Sequence, residues 1–216
     1  MKTRDKIIIC SLDLFNLEGE TNVSTVDIAN EMDISPGNLY YHFKGKEEII
    51  NELFTLFESE LSDILKAPVE ARLNMRDAWF YVYVVFEQIY QHRWLYRNLN
   101  DILQRYPKLN KRFKKLMERK MSASLVIINS LASHGVLEIT EEARRQLAER
   151  LTMQLTFWLN YRQLRGEQSP DALLLHEGVF ELVSSVAPYF ESSFQIIYDD
   201  MLNLYQQIRS ESLQSD

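Results

Sequence analysis

The residues best suited to chemistry lie in SPGNLYYHFKGKEEI, residues 35–49, where an asparagine, two tyrosines, a histidine and two lysines share one short stretch. Asn38 can pair bidentately with adenine, and Gly37, lacking a side chain, permits close backbone approach. Tyr40, His42 and Lys46 suit phosphate oxygens, contacts that position a protein without reading bases. Ser24 and Thr25, just upstream, can offer hydroxyls and backbone N–H groups to another phosphate from a helix start. Tyr41 falls among these polar groups. The chemistry is hydrogen bonding to a charged, edge-bearing partner, not bond making. The histidines at 42, 92, 134 and 176 are scattered, no His/Cys/Asp cluster has metal spacing, and no glycine-rich phosphate loop occurs. No catalytic residue, metal ligand or cofactor is therefore assigned, and an enzyme finds no support.

These side chains need short helices to hold them. Apolar spacing predicts a first helix over 3–17, with Ile8, Leu12 and Phe15 on one face and Gly19 as its C-cap. Ser24 and Asp27 form a capping-box pattern ahead of a second, short helix that buries Ile28, Ala29 and Met32. Asp33 and Ile34 make a tight turn. Ser35 is a good N-cap and Pro36 fits the first helical position, so a third helix runs over 36–43 with Leu39 and Phe43 inward. Gly45 breaks it. Lys46 opens a connecting helix whose stripe of Ile50, Leu53, Phe57, Leu61 and Ile64 continues as far as Pro68. Two short helices joined by a tight turn, with polar and aromatic groups on the second, have the geometry of a helix-turn-helix.

The segment LFNLEGETNVSTVDIANEMDISPGNLYYHFKGKEEII resembles the DNA-binding domain of the TetR (tetracycline-repressor-like) family of bacterial transcription regulators. The matching residues are Phe15, Gly19, Thr25, Ile28, Ala29, Ser35, Leu39, Tyr40, Tyr41, His42, Phe43 and Lys46. The resemblance implies phosphate contacts from Thr25, Tyr40, His42 and Lys46, with Gly37, Asn38 and Tyr41 nearest the bases. Asp33 stands where the family usually has glycine, and aspartate tolerates a left-handed backbone better than most residues. The competing view is a helical protein-interaction module in which Tyr40, Tyr41, Lys44 and Lys46 are ordinary surface residues.

Composition agrees with a folded helical chain: 46% of the 216 residues are hydrophobic, and only six glycines and five prolines interrupt them. The lone Cys10 excludes an intramolecular disulfide and reads as a small core residue. Asp13 interrupts the only apolar run resembling a signal peptide, and no run approaches a membrane span, so a cytoplasmic protein is expected. The net charge of −7 disfavours indiscriminate nucleic-acid binding. Residues 1–50 hold five Lys/Arg against nine Asp/Glu, a net of −4, yet 34–46 contain two lysines, a histidine and no acid. Weak non-specific binding with a modest salt slope follows.

The expected organisation is all-α: a helix-turn-helix domain over 1–48, a connecting helix over 46–66, a boundary near 67–74, and a helical domain over 67–216. Helices are predicted over 74–91, in a shorter segment up to Pro107, over 108–134, over 141–165 after the cap Thr140, from Ser169–Pro170 to Pro188, and on to 209. The run VYVV, 82–85, has strand propensity within helical surroundings. By resemblance, this part binds a small effector and forms a homodimer, and the protein is a repressor. Trp79, Phe80, Tyr83, Phe86, Tyr90, Phe113, Met117, Met121, Phe157 and Tyr161 are candidates to line an effector pocket or to fill a core. Leu147, Leu151, Leu155 and Trp158 form a stripe fitting a dimer contact and a monomer core equally. Residues 97–120 carry nine Lys/Arg and two acids, a patch suited to phosphates, to an anionic effector, or to solvent alone.

Overall fold

The structure, a computed structural model, describes residues 1–70, 75–166 and 171–212. Over these residues eleven α-helices and three short 3-10 turns are present and no β-strand is found, so the expected all-α fold is observed. α1 (Thr3–Glu18), α2 (Thr25–Glu31) and α3 (Pro36–His42) form a small bundle on the first half of α4 (Lys46–Glu70). Ile7, Phe15, Ile28, Leu39, Phe43 and Ile50 are fully buried between them. Truncating a buried phenylalanine such as Phe15 typically costs about 3–5 kcal/mol. α1 ends at Gly19, whose φ of 87° needs a residue without a Cβ.

α4 links this bundle to the rest, because its apolar stripe continues through Phe54, Phe57 and Leu61 to Leu65. It runs two residues past the expected stop at Pro68. Residues 71–74 of the expected boundary, and the expected Ser169–Pro170 helix start, lie outside the described residues. α5 (Met75–Gln91) includes the run 82–85 in helical form. α8 (Pro107–Ser133) and α9 (Glu141–Leu164) pack along each other, α4 lies on α8, and α5 lies on α10 (Asp171–Val186). α11 (Gln195–Ser212) covers α10. Gly178 is what lets α10 sit close: a Cβ there would lie 2.8 Å from Phe86 and 2.9 Å from Trp158.

The single short helix expected before Pro107 is two, α6 (Arg93–Arg97) and α7 (Leu99–Arg105). The break between α5 and α6 is held from outside. Asn16 of α1 donates from its amide to the Gln91 carbonyl at 2.8 Å and accepts from the Trp94 N–H at 3.0 Å. One buried side chain thus satisfies a helix end and the next helix start, groups that would otherwise be orphaned. That is why α6 lies against α1, with Trp94 buried on Phe15 at 5.8 Å between ring centroids.

The leucine stripe of α9 resolves as core: Leu147, Leu151 and Leu155 are buried and Trp158 is half-buried. A second apolar row on α9, Met153, Phe157, Tyr161 and Leu164, is exposed instead.

Candidate nucleic-acid interface

The helix-turn-helix is built from local hydrogen bonds. Ser24 accepts from the Asp27 N–H while its own N–H donates to the Asp27 carboxylate at 2.7 Å. The Ser24 hydroxyl also donates to that carboxylate at 2.6 Å, and these bonds hold the Asp27 carboxyl below its ordinary range. At the other end of α2, Asp33 has a φ of 53°, its N–H donates to Asn30 at 3.1 Å, and the Ile34 N–H donates to Ala29 at 3.0 Å. Those two bonds around a left-handed residue close the helix as a Schellman turn. Ser35 then caps α3, accepting from the Asn38 N–H at 3.2 Å, with Pro36 in the first turn.

Leu39 and Phe43 point inward and fix which face of α3 looks out. That outer face carries Gly37, Asn38, Tyr40 and Tyr41, all exposed, with Tyr41 at 78%. Tyr41 meets His42 edge-on at 5.2 Å, and Lys44 lies over the Tyr40 ring at 5.1 Å. Gly37 has open space: a Cβ would come no nearer than 3.9 Å to Ser35 Oγ. Thr25 is half-buried at the start of α2. The hydroxyls of Ser24 and Ser35 are occupied as caps.

Lys46 differs most from expectation. Its ammonium turns inward to the Glu20 carboxylate at 2.9 Å, hydrogen-bonds the Glu20 carbonyl, and lies over Phe15. Glu20 is only 1% exposed and gathers two further donors from the far side of the chain, Arg105 at 2.7 Å and the Tyr106 hydroxyl at 2.9 Å. Burial, with Glu20 beside it, pushes the Tyr106 phenol up to about 12. A buried carboxylate needs such partners. The Glu20 cluster therefore joins the end of α1, the start of α4 and the end of α7. Arg4 plays a related part, donating to the His42 carbonyl at 2.7 Å, stacking on Phe43 and pairing with Glu52. Neither Glu20 nor Arg4 carries a periodic signal that would mark it in advance.

The basic stretch divides in two. Lys108, Lys111, Lys114 and Lys115 are exposed. Arg105 joins Glu20, Arg112 pairs with Glu58 at 2.7 Å over the Phe54 ring, Arg119 donates to Ser62 at 2.6 Å, and Arg97 donates to the Asn16 carbonyl at 3.2 Å. Lys120 is wholly buried. It interrupts the row Leu109, Phe113, Leu116, Lys120, Ala123 at a position where helical spacing demands an apolar residue, a signal legible in the chain itself.

Between α4, α5, α8, α9 and α10 lies a cavity of about 80 Å³. Of the residues proposed for an effector pocket, Trp79 lines it. The others are placed elsewhere: Tyr83 packs on His176, Phe86 under α10, and Phe113 is buried beside Lys120. Tyr90 is buried beside Arg93, Met117 and Met121 are half-buried on α8, and Phe80, Phe157 and Tyr161 are exposed. Among the described residues, no group of three His, Cys, Asp or Glu could hold a metal ion, and no helix is long and apolar enough to cross a membrane.

Fold and surface together define an all-α helix-turn-helix protein with a larger helical domain. Residues 7–53 match the family model of bacterial regulatory proteins of the tetR family, and 56–196 match a model described as a bacterial transcriptional repressor. A solved TetR-family transcriptional regulator from Marinobacter aquaeolei VT8 is 30% identical, with 96% of this chain and 98% of that one aligned at a TM-score of 0.83. The HTH-type transcriptional regulator QacR of Staphylococcus aureus is 33% identical over 38% of this chain and 44% of its own length. AcrR of Shigella flexneri is 32% identical over 29% of each. The chain spans less than half the length of these two curated relatives. The chain belongs to the TetR family of bacterial transcriptional regulators.

Proposed function

We propose that the protein is a sequence-specific DNA-binding repressor that acts as a homodimer and is released from its operator by a small molecule. The observation that carries this is the outer face of α3. Gly37, in the first turn of α3, is a poorer helix former than alanine. Nothing inside the chain requires it, since a Cβ there meets only ordinary contact. A partner's close approach supplies the reason. Asn38 and Tyr41 flank that point toward base edges, Tyr40 and Lys44 toward phosphates. Thr25 at the start of α2 offers a further phosphate contact, and His42 lies at the edge of the same face. Lys46 holds the module together through Glu20 rather than reaching outward.

One such module buries little surface, so two copies on a two-fold operator are needed, with half-sites about one turn apart, ~34 Å. The exposed row Met153, Phe157, Tyr161 and Leu164 on α9 supplies an apolar face for that pairing. The unit boundary falls in the segment after α4, with residues 1–48 reading DNA and the following helices sensing ligand and pairing. The effector enters the cavity lined by Trp79. Its binding favours a separation of the two recognition helices that no longer fits the half-sites, a shift in population.

Selection from a random duplex pool, followed by fluorescence anisotropy on the enriched sequence, tests this. A palindromic sequence bound at one dimer per site, with affinity falling at least 30-fold in Asn38→Ala/Tyr41→Ala, is the expected result. No enrichment from the pool would overturn it.

A further inference from the structure

The cavity wall holds one group that does not belong in hydrocarbon surroundings. Lys120 forms part of the wall, is 0% exposed, and among the described residues has no carboxylate partner. Its ammonium donates to the Tyr96 hydroxyl at 2.8 Å and faces the rings of Tyr96 and Phe113 at 4.7 and 5.7 Å. An ammonium has three N–H donors, and this bond accounts for one. Nearby, Tyr81 also lines the cavity, and its hydroxyl is buried without a hydrogen-bond partner among the described residues. Ser124 completes the polar groups contributed by α8, and the lining residues include no acid. Everything else facing the space is aliphatic or aromatic, including Leu65, Val85 and Leu155.

Burying a lysine without an anion is costly, and burial pulls the Lys120 amine down to about 7. Leucine or methionine at this position would complete the apolar row of α8 at no such cost. A lysine retained at the wall of an apolar cavity, with donors unused, is explained by a negative charge arriving with the ligand.

We infer that the cavity binds an apolar monocarboxylate, its hydrocarbon part among the aliphatic side chains and its carboxylate on Lys120 with Tyr81 in reach. This rests on the ligand-responsive reading above and names the ligand class of that site. A single point charge with one or two hydroxyls matches a carboxylate. A phosphate dianion would bring two charges to one lysine, and no arginine stands among the lining residues to answer the second. The location also suits a signal. Tyr96, which holds Lys120, lies on α6, and α6 is tied through Trp94 to Asn16 in the DNA-reading bundle.

The test uses the full-length protein and three eight-carbon probes: octanoate, 1-octanol and octylammonium. Binding is followed by calorimetry at pH 7, with intrinsic tryptophan fluorescence, to which Trp79 at the cavity contributes, as a second signal. Octanoate is expected to bind at least 10-fold more tightly than octanol, and octylammonium not at all. Lys120→Met, which fills similar volume with an apolar chain, should lose the preference for octanoate while still binding octanol. Tyr81→Phe should weaken octanoate a few-fold. Calorimetry of octanoate at pH 8 in buffers of different ionisation heat should show proton uptake in the wild type and none in Lys120→Met. Octanol binding as tightly as octanoate, an unchanged preference in Lys120→Met, or no binding by any probe would each overturn the inference. Anisotropy on the selected duplex keeps the two readings apart. Lys120-dependent octanoate binding in a protein that selects no DNA would sink the regulator reading alone, and operator binding with no octanoate site would sink this one alone.

Discussion

The two parts of the chain treat polar side chains and glycines in opposite ways. In the helix-turn-helix, Ser24, Asp27 and Ser35 close helix ends within three residues of themselves, and the charges of Lys46 and Arg4 are paired. Asn38, Tyr40 and Tyr41 are what remain, and they face solvent on a helix whose Gly37 no internal contact requires. In the larger domain Gly178 is demanded by Phe86 and Trp158, and two polar side chains, Lys120 and Tyr81, are buried at the wall of a cavity. The two features thus differ in place: the polar face of α3 looks outward, and the Lys120–Tyr81 pair looks into a cavity. On the reading proposed above, α3 awaits a large, hydrated partner and the cavity a small, largely apolar one.

Changes aimed at this contrast rank by size. Glu20→Ala has the largest expected effect, because it leaves Lys46 and Arg105 without their shared carboxylate at a buried joint. Urea denaturation should show a loss of about 3 kcal/mol, with the N-terminal bundle loosened from α7. A loss under about 0.5 kcal/mol would mean that the two parts are not joined there.

Lys120→Met should act in the opposite direction, raising stability by about 2 kcal/mol at pH 6. The sign follows from linkage. The amine titrates near 7 when folded and at 10.5 when unfolded, so between these values the unfolded chain holds more protons and stability rises with pH. Below pH 7 both states are protonated and the full penalty of burial is present. The variant should flatten the wild-type rise between pH 7 and 10. A parallel pH profile in the two proteins would show that Lys120 is not held in apolar surroundings.

Asp33→Gly is the smallest change, expected to stabilise by about 0.5 kcal/mol. Relief of a left-handed aspartate at a helix C-terminus slightly outweighs the extra freedom gained by the unfolded chain. A fall in Tm would mean that the Asp33 side chain contributes more than its backbone costs.

What was legible from the residues alone follows the range of the interactions. The capping box at Ser24, the Ser35–Pro36 start and the turn at Asp33 act over three or four positions, so their residue types announce them. The Glu20 cluster was not legible, because its partners at 46, 105 and 106 are brought together only by packing, and Lys46 accordingly looked like a phosphate contact. The same holds for Asn16, which creates the break between α5 and α6 from far away in the chain. For the cavity, aromatic and methionine content picked out Trp79 and otherwise pointed to residues packed elsewhere. Large rings such as Phe86 and Phe113 fill their surroundings, and room is left where aliphatic side chains of α8, α9 and α10 fall short of one another. Lys120 was visible as a charge in an apolar row, hidden among the exposed lysines of the same basic stretch.

The central claim is that α3 keeps its outer face for DNA rather than for the fold, and Gly37→Ala tests it most directly. Tm and operator affinity would be measured on the same preparation. The expected result is a small rise in stability, up to about 0.5 kcal/mol, together with at least a 10-fold weaker Kd, because the added methyl fits the protein and obstructs the base edges. A stabilised variant that binds the operator as tightly as the wild type would contradict it.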